Sequence, residues 1–240
     1  MKCIQCHLCF IFLILLTSGM DAQNQFPEQM YLDNIKTELQ LEWPENRTIN
    51  IVFHGHSVPA GYFSTPEVNT LESYPHLTLR KIKESYPNAV VNVILTAIGG
   101  EHSEQGAARF KADVMNHKPD LVVIDYALND RSIGLQKARL SWEIMIKMAK
   151  SFEVKVILLT PSPDTSEDIL QPNAQLAQHS KQIRELALLH EVGLVDSYSI
   201  FKEIAAEESL EKYMAQSNHI NALGHWLVSE QLFEWFKPGN

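Results

Sequence analysis

The chain has 240 residues, of which 45% are hydrophobic and 20% are charged, and its formal net charge is −9. This length is enough for one domain with a sizeable core, and the ordinary glycine and proline content excludes collagen-like and disordered chains. The acidic balance and the absence of a basic run argue against nucleic acid as a partner.

The first 22 residues have the layout of a secretory signal peptide. Lys2 precedes an apolar stretch over Leu8–Leu16, and small residues follow up to Ala22. All three cysteines lie in this segment, and although Cys3 to His7 matches the C-x-x-C-H haem-attachment pattern, cleavage would remove it. We therefore predict a signal peptide over 1–22, a secreted or periplasmic location without stable membrane insertion, and a mature chain that lacks cysteine.

Residues 23–47 are mostly polar, with a short amphipathic stretch around Ile35 and Leu39. They end in the breaker-rich segment Trp43–Arg47. This pattern predicts an N-terminal arm that lies on the following domain.

From residue 48 to residue 240, apolar β-branched runs alternate with segments of helical period. The strand candidates are Ile49–Phe53, Val90–Thr96, Leu121–Tyr126, Val154–Leu159 and Val192–Val195. The helix candidates are Leu71–Ser85, Ser103–Asn116, Leu135–Ser151, Ala174–His190 and Ala222–Phe236. The alternation predicts a single α/β domain, a three-layer α/β/α sandwich around a mostly parallel five-stranded sheet. In such sheets ligands bind beyond the carboxyl ends of the strands, so catalytic residues are expected in the segments that follow them.

Four such segments carry candidate catalytic residues. Ser57 lies on a glycine-flanked turn after the first strand. Its spacing, G-x-S-x-x-x-G, differs from the G-x-S-x-G nucleophile elbow of α/β-hydrolases. A lone serine at such a turn is also typical of a helix cap. Gly100 belongs to a glycine pair whose backbone N–H can turn toward an anion, and Asn129 offers an amide after the third strand. His219 comes just before the last helix.

Taken in order, these segments resemble the SGNH/GDSL hydrolase superfamily over residues 49–236. Ser57 stands at the family's nucleophile, Gly100 at the glycine of the second block, Asn129 at the asparagine of the third, and His219 at the histidine of the fifth. The second block, Gly100 through Arg109, follows the pattern of bacterial esterases of this superfamily. The resemblance implies a flavodoxin-like sandwich and ester hydrolysis without a metal or organic cofactor.

Two positions depart from the family pattern. His56 replaces the aspartate that usually precedes the serine, and Gln216 replaces the aspartate that usually stands three residues before the histidine. A neutral amide cannot stabilise an imidazolium as a carboxylate does, so a Ser-His dyad or a carboxylate from elsewhere is required. Asp196 and Asp130 are the nearest candidates by loop position, and Asp130 is more typical of a structural partner of the asparagine loop.

The several histidines of the chain could alternatively form a metal site. His54, His56, His102, His219 and His225 are of the type that zinc favours, but no H-E-x-x-H or similar spacing accompanies them. We predict neither a metal nor another cofactor.

The loop over residues 61–70 follows the candidate nucleophile and mixes aromatic and polar side chains, including Tyr62 and Phe63. Such a lining suits a sugar better than a long acyl chain, although both rings are also typical of core packing. We therefore predict a serine esterase that removes O-acetyl groups from a carbohydrate, with a small molecule or a polysaccharide as substrate. The alternatives are an acyl hydrolase of the lysophospholipase or thioesterase type and a non-catalytic carbohydrate-binding relative.

Overall fold

The structure is a computed structural model, which describes residues 28–238. The predicted signal peptide lies outside the described residues. Among the residues that are described, no helix is long and apolar enough to cross a membrane.

Five parallel strands form the central sheet, in the order β2-β1-β3-β4-β5. They are β1 (Thr48–Gly55), β2 (Val90–Leu95), β3 (Leu121–Asp125), β4 (Lys155–Leu159) and β5 (Gly193–Val195). The central strand β3 is buried at every position, as a parallel strand covered on both faces requires, and this explains its uninterrupted apolar run. The edge strand β2 is more exposed. The predicted five-stranded parallel sheet is confirmed, and its strand order is that of flavodoxin-like folds.

The helices cover both faces of this sheet. They are α1 (Glu28–Tyr31), α2 (Asp33–Gln40), α3 (Ser57–Ala60), α4 (Tyr74–Ser85), α5 (Ser103–Asp113), α6 (Ala127–Asp130), α7 (Gly134–Ser151), α8 (Gln175–His190), α9 (Ser197–Glu207) and α10 (Ala222–Glu234). Helix α4 packs against α10, whereas α5, α7 and α8 pack side by side. The two groups and the sheet between them make the three predicted layers.

The arm is anchored by its apolar residues and by one phenol. Leu32, Ile35 and Leu39 are buried against the domain. The hydroxyl of Tyr31 donates to the carbonyl oxygen of Val156 at 3.1 Å and accepts from the N–H of the same residue at 3.0 Å, so α1 is tied to β4.

Several elements differ from the sequence prediction. The helix predicted from Leu71 begins only at Tyr74, because Ser73 is extended and Pro75 occupies the first turn, where its missing N–H costs nothing. Helix α9 was not predicted. Nor was the antiparallel pair of β6 (Met214–Gln216) and β7 (His219–Ile220), whose strands are too short to show a periodic pattern.

Three buried histidines make the fold sensitive to acid. Burial lowers the pKa of His54 and His225 to about 3 and that of His179 to about 4. The unfolded chain therefore binds more protons than the folded chain once the pH falls below about 6.5, and each histidine then removes up to about 1.4 kcal/mol of stability per pH unit.

We therefore expect the melting temperature to fall steeply as the pH is lowered from about 6.5 toward about 4, and to change little between about 7 and 8. Circular dichroism at a series of pH values measures this. A melting temperature that stays constant down to pH 4.5 would contradict the burial of neutral histidines.

Candidate functional site

The carboxyl end of β1 presents Ser57 through a tight approach to β3. A Cβ at Gly55 would collide with the backbone carbonyl of Asp125, so only glycine lets the two strands come this close. The chain then turns at His56, whose Nδ1 accepts a hydrogen bond from the N–H of Val58 at 3.2 Å and caps α3. Ser57 is thus the first residue of a short helix at the sheet edge where ligands bind.

Ser57 and His219 are brought together by the fold. The Oγ of Ser57 lies 2.9 Å from Nε2 of His219, and Nδ1 of His219 lies 2.9 Å from the carbonyl oxygen of Phe63. A carbonyl oxygen can only accept, so Nδ1 carries the proton and Nε2 is left to accept from the serine hydroxyl. This is the tautomer that a general base requires.

The environment of His219 favours its neutral form. Its side chain is 5% exposed. Burial lowers the pKa of His219, the hydrogen bond to Phe63 opposes this, and the neighbouring His56 lowers the pKa further. The imidazole is therefore available as a proton acceptor at neutral pH.

None of the carboxylates suggested by the sequence orients His219. Asp196 accepts from Arg184 and from the hydroxyl of Thr160. Asp130 accepts from the N–H of Ser103 at 2.7 Å and from the indole of Trp142 at 2.7 Å. Neither of these two candidates stands behind the imidazole, because both are held by other partners, and the bonds of Asp130 are those of the structural partner that the sequence favoured for it.

The orienting group is instead the backbone carbonyl of Phe63, which the sequence analysis missed. A carbonyl is present at every residue and has no side-chain signature, so no motif points to it. Gln216 is paired with His219 across β6 and β7 but does not hydrogen-bond the imidazole: its amide binds the N–H of Thr65 and the side chain of Asn218.

Gly100 lies in a turn and Asn129 lies on the short helix α6, and the two segments are joined to each other. Gly100 has φ +82°, a conformation that favours glycine. The N–H of Ile98 donates to the carbonyl of Gly55 at 3.0 Å, which fixes the Gly100 loop beside the turn that carries Ser57. The amide of Asn129 donates to the carbonyl of Glu101 at 2.9 Å and retains a second hydrogen for a ligand.

A known family matches the part of the chain that carries these four residues. The model of the GDSL-like lipase/acylhydrolase family matches residues 53–227, which is most of the domain. The chain belongs to this family. It is accordingly a hydrolase that acts on ester bonds.

Solved structures share the fold of this GDSL-like hydrolase. A two-domain esterase active on acetylated mannans aligns with a TM-score of 0.71 at 22% identity, covering 86% of this chain and 52% of that one. The present chain thus spans about half of that esterase. An acetylxylan esterase from Geobacillus stearothermophilus aligns with a TM-score of 0.69 at 18% identity, covering 80% of this chain and 95% of that one. No curated protein gives a significant sequence match.

A partly buried ion pair holds the Gly100 loop of the GDSL-like hydrolase in place. Both carboxylate oxygens of Glu101 accept from Nε of Arg109, at 3.0 and 2.9 Å, and one of them also accepts from Nη2 at 2.5 Å. The hydroxyl of Tyr126 lies 3.2 Å from Glu101 and 3.2 Å from Nε2 of His54. These contacts tie the loop to α5 and to the end of β3, so the candidate anion-binding N–H of Gly100 is fixed before a ligand arrives.

The histidine that replaces the family aspartate is part of a second buried cluster. Because Nδ1 of His56 accepts from Val58, its other nitrogen carries the proton, and Nε2 lies 3.3 Å from Oδ1 of Asp125. That contact is an electrostatic approach that is not aligned as a hydrogen bond. The other oxygen of Asp125 accepts from the hydroxyl of Tyr74 at 2.9 Å. Burial raises the pKa of Tyr74 well above its ordinary value, which keeps this donor protonated.

Two further histidines of the zinc alternative have other partners. His54 binds the hydroxyl of Thr96 and the carbonyl of Gly106, and His225 accepts from the N–H of Tyr74. Within residues 28–238, no group of three or more histidine, cysteine or acidic side chains is arranged to hold a metal ion.

We expect restoration of the family aspartate, His56→Asp, to destabilise the protein. It would place a second carboxylate against Asp125, where both side chains are at most 5% exposed. A buried contact between like charges lowers the free energy of unfolding by about 3 kcal/mol. For a protein of this size, that corresponds to a fall of roughly 10 °C in melting temperature.

His56→Asn is the matched control. Its side-chain oxygen can still cap α3 through the N–H of Val58 without adding a charge, so we expect less than half of that loss. Differential scanning calorimetry at pH 7 compares the two variants. A His56→Asp protein as stable as the wild type would show that Asp125 does not need a neutral or positive partner.

Proposed function

We propose that Ser57 is the nucleophile of a serine esterase and that His219 is its general base. The observation that carries the proposal is the 2.9 Å contact between Oγ of Ser57 and Nε2 of His219, with the tautomer set by the carbonyl of Phe63. A protein that only binds carbohydrate has no use for such an arrangement, so the contact favours turnover over the binding alternative.

The reaction follows from these positions. As Oγ of Ser57 attacks the ester carbonyl, its proton moves to Nε2 of His219. The backbone N–H groups of Ser57 and Gly100 and the amide of Asn129 stabilise the tetrahedral oxyanion, each donor contributing about 3–4 kcal/mol in the transition state. The imidazolium then gives its proton to the leaving alcohol, and water releases the acid from the acyl-enzyme by the same steps in reverse.

The proposed substrate is an O-acetyl group on a carbohydrate. The half-buried ring of Tyr62 stands beside the imidazole, with ring centroids 6.1 Å apart, and reaches the loop at Gly99. An aromatic face next to the scissile ester suits a sugar ring, and it restricts the space for a long acyl chain. The related structures named above, from esterases of acetylated mannans and of acetylxylan, agree with this substrate class.

We expect Ser57→Ala to lower kcat/KM for p-nitrophenyl acetate by roughly 10⁴-fold or more, because the nucleophile is lost. The wild type should prefer p-nitrophenyl acetate to p-nitrophenyl octanoate, and it should release acetate from acetylated xylan or mannan. Ser151→Ala is the control, because Ser151 lies at the end of α7 and its hydroxyl binds only the carbonyl of Met148.

Three results would count against parts of this proposal. Preference for the octanoate would favour the lysophospholipase or thioesterase type. Hydrolysis that survives in Ser57→Ala would remove the serine from the mechanism. Sugar binding without serine-dependent turnover would favour the non-catalytic alternative.

The pH dependence tests the base separately. Since the pKa of His219 is lowered from 6.5 by burial, the neutral imidazole persists into mildly acidic solution. We expect the rising limb of kcat/KM to have its midpoint below pH 6.5, followed by a plateau through neutral pH. The profile should be measured on p-nitrophenyl acetate, within the pH range where the protein remains folded. A midpoint well above pH 7, or no rising limb at all, would argue against His219 as the base.

A further inference from the structure

The side chain of Gln216 bridges two loops next to the catalytic pair. Its Oε1 accepts from the N–H of Thr65 at 3.0 Å, and its Nε2 donates to Oδ1 of Asn218 at 3.0 Å. Gln216 is the last residue of β6 and stands three positions before His219. Both polar atoms of the Gln216 side chain are therefore used in hydrogen bonds that hold the two loops together.

Thr65 belongs to a compact loop, residues 61–69, which we call the acceptor loop because it supplies the carbonyl that binds His219. Inside the loop, the N–H of Phe63 donates to the carbonyl of Glu67 at 3.1 Å, and the N–H of Asn69 donates to the carbonyl of Gly61 at 2.7 Å. The loop thus folds on itself, with its polar groups paired.

Three contacts fasten the acceptor loop to the elements that carry His219. The ring of Phe63 stacks on His225 of α10, with ring centroids 5.0 Å apart. The hydroxyl of Ser64 donates to the carbonyl of Ala215 at 2.9 Å. The third contact is the one from Thr65 to Gln216. Of the three, only the last depends on the side chain that replaces the family aspartate.

We propose that Gln216 is a positioning residue, which holds the carbonyl of Phe63 against Nδ1 of His219 by anchoring the acceptor loop at Thr65. The inference rests on the proposed function of Ser57 and His219. In this protein a backbone carbonyl takes the place of the orienting carboxylate, and the residue at the carboxylate's usual position has become the support of that carbonyl.

An amide suits this task better than a carboxylate. Thr65 presents a donor and Asn218 presents an acceptor, so the amide of Gln216 satisfies both neighbours as they stand, whereas an ionised carboxylate can accept but cannot donate. Aspartate is also one methylene shorter, and from the same backbone position its oxygens fall short of the N–H of Thr65. Glutamate keeps the reach and the acceptor, and Asn218 can turn its own amide to donate.

The charged and titratable side chains near the imidazole do not orient it in place of the carbonyl of Phe63. His56 and His225 both interact electrostatically with His219. The hydrogen bond to Phe63 accounts for the orientation of the ring because it occupies Nδ1. Displacement of this carbonyl by a fraction of an ångström therefore weakens the base without removing any catalytic group.

The test compares Gln216→Ala, Gln216→Glu and Gln216→Asp with the wild type on p-nitrophenyl acetate. We expect Gln216→Ala to lower kcat by about 10–100-fold, as misplacement of a catalytic group does, with KM changed by less than about 3-fold. Gln216→Glu should keep kcat within about 5-fold of the wild type, since the bond to Thr65 survives. Gln178→Ala, which removes an exposed glutamine of α8, is the control and should leave kcat unchanged.

Gln216→Asp separates this proposal from a conventional triad. We expect this variant to be as impaired as Gln216→Ala, with no upward shift in the midpoint of its pH–rate profile. If the aspartate instead raised kcat and moved that midpoint upward, residue 216 would face the imidazole and the proposal would be overturned. Wild-type kcat in Gln216→Ala would overturn it as well.

A measurement that does not depend on turnover completes the test. The Nδ1 proton of His219 should give a slowly exchanging NMR signal in the wild type and in Ser57→Ala, and the signal should be lost or exchange much faster in Gln216→Ala. An unchanged signal in Gln216→Ala, with its melting temperature close to that of the wild type, contradicts the positioning role. Because Ser57→Ala tests the nucleophile independently, failure of the proposed function and failure of this inference give different results.

Discussion

The hydrogen bond from Nδ1 of His219 to the carbonyl of Phe63 determines what the rest of the site can do. It places the proton on one nitrogen and leaves the other, 2.9 Å from Oγ of Ser57, ready to accept. A carbonyl keeps the same charge at every pH, so the tautomer does not depend on a second titrating group. The orientation of the proposed base thus depends on how firmly the chain holds one peptide unit.

Charged side chains that are partly or fully buried fix the two segments on either side of this bond. The pair of Glu101 and Arg109 secures the loop of Gly100, and Asp125 lies under the turn of Ser57 between His56 and Tyr74. A charge removed from water is tolerated only where partners satisfy it, so each cluster stabilises one arrangement of its neighbours more than it stabilises the fold. That rigidity is what a preorganised anion site requires, because the donors then need no rearrangement during the reaction.

The sequence predicts the scaffold well because burial on both faces leaves a long apolar run, as in β3. The pairing of Ser57 with His219 comes from the resemblance to the SGNH/GDSL family and not from the spacing of the two residues, and the structure brings them to 2.9 Å. The sequence does not predict the partner of His219. Asp130 and Asp196 had the right chemistry, but each was already bound by donors that lie close only in three dimensions, such as Trp142 and Arg184. The role of Glu101 was missed for the same reason, because its arginine lies eight residues away on another element.

Two neighbouring residues of the acceptor loop have different roles in the site. Tyr62 lines the site next to the imidazole, and the next peptide unit along the chain orients that imidazole. In an enzyme with a separate carboxylate, the wall of the pocket is free to change length and composition as new substrates are met. Here an insertion or deletion that reshapes the wall also moves the acceptor of the base, so a gain in substrate range is coupled to a loss of turnover. Natural variation and directed evolution should accordingly alter this loop by single side-chain replacements that leave its backbone path intact.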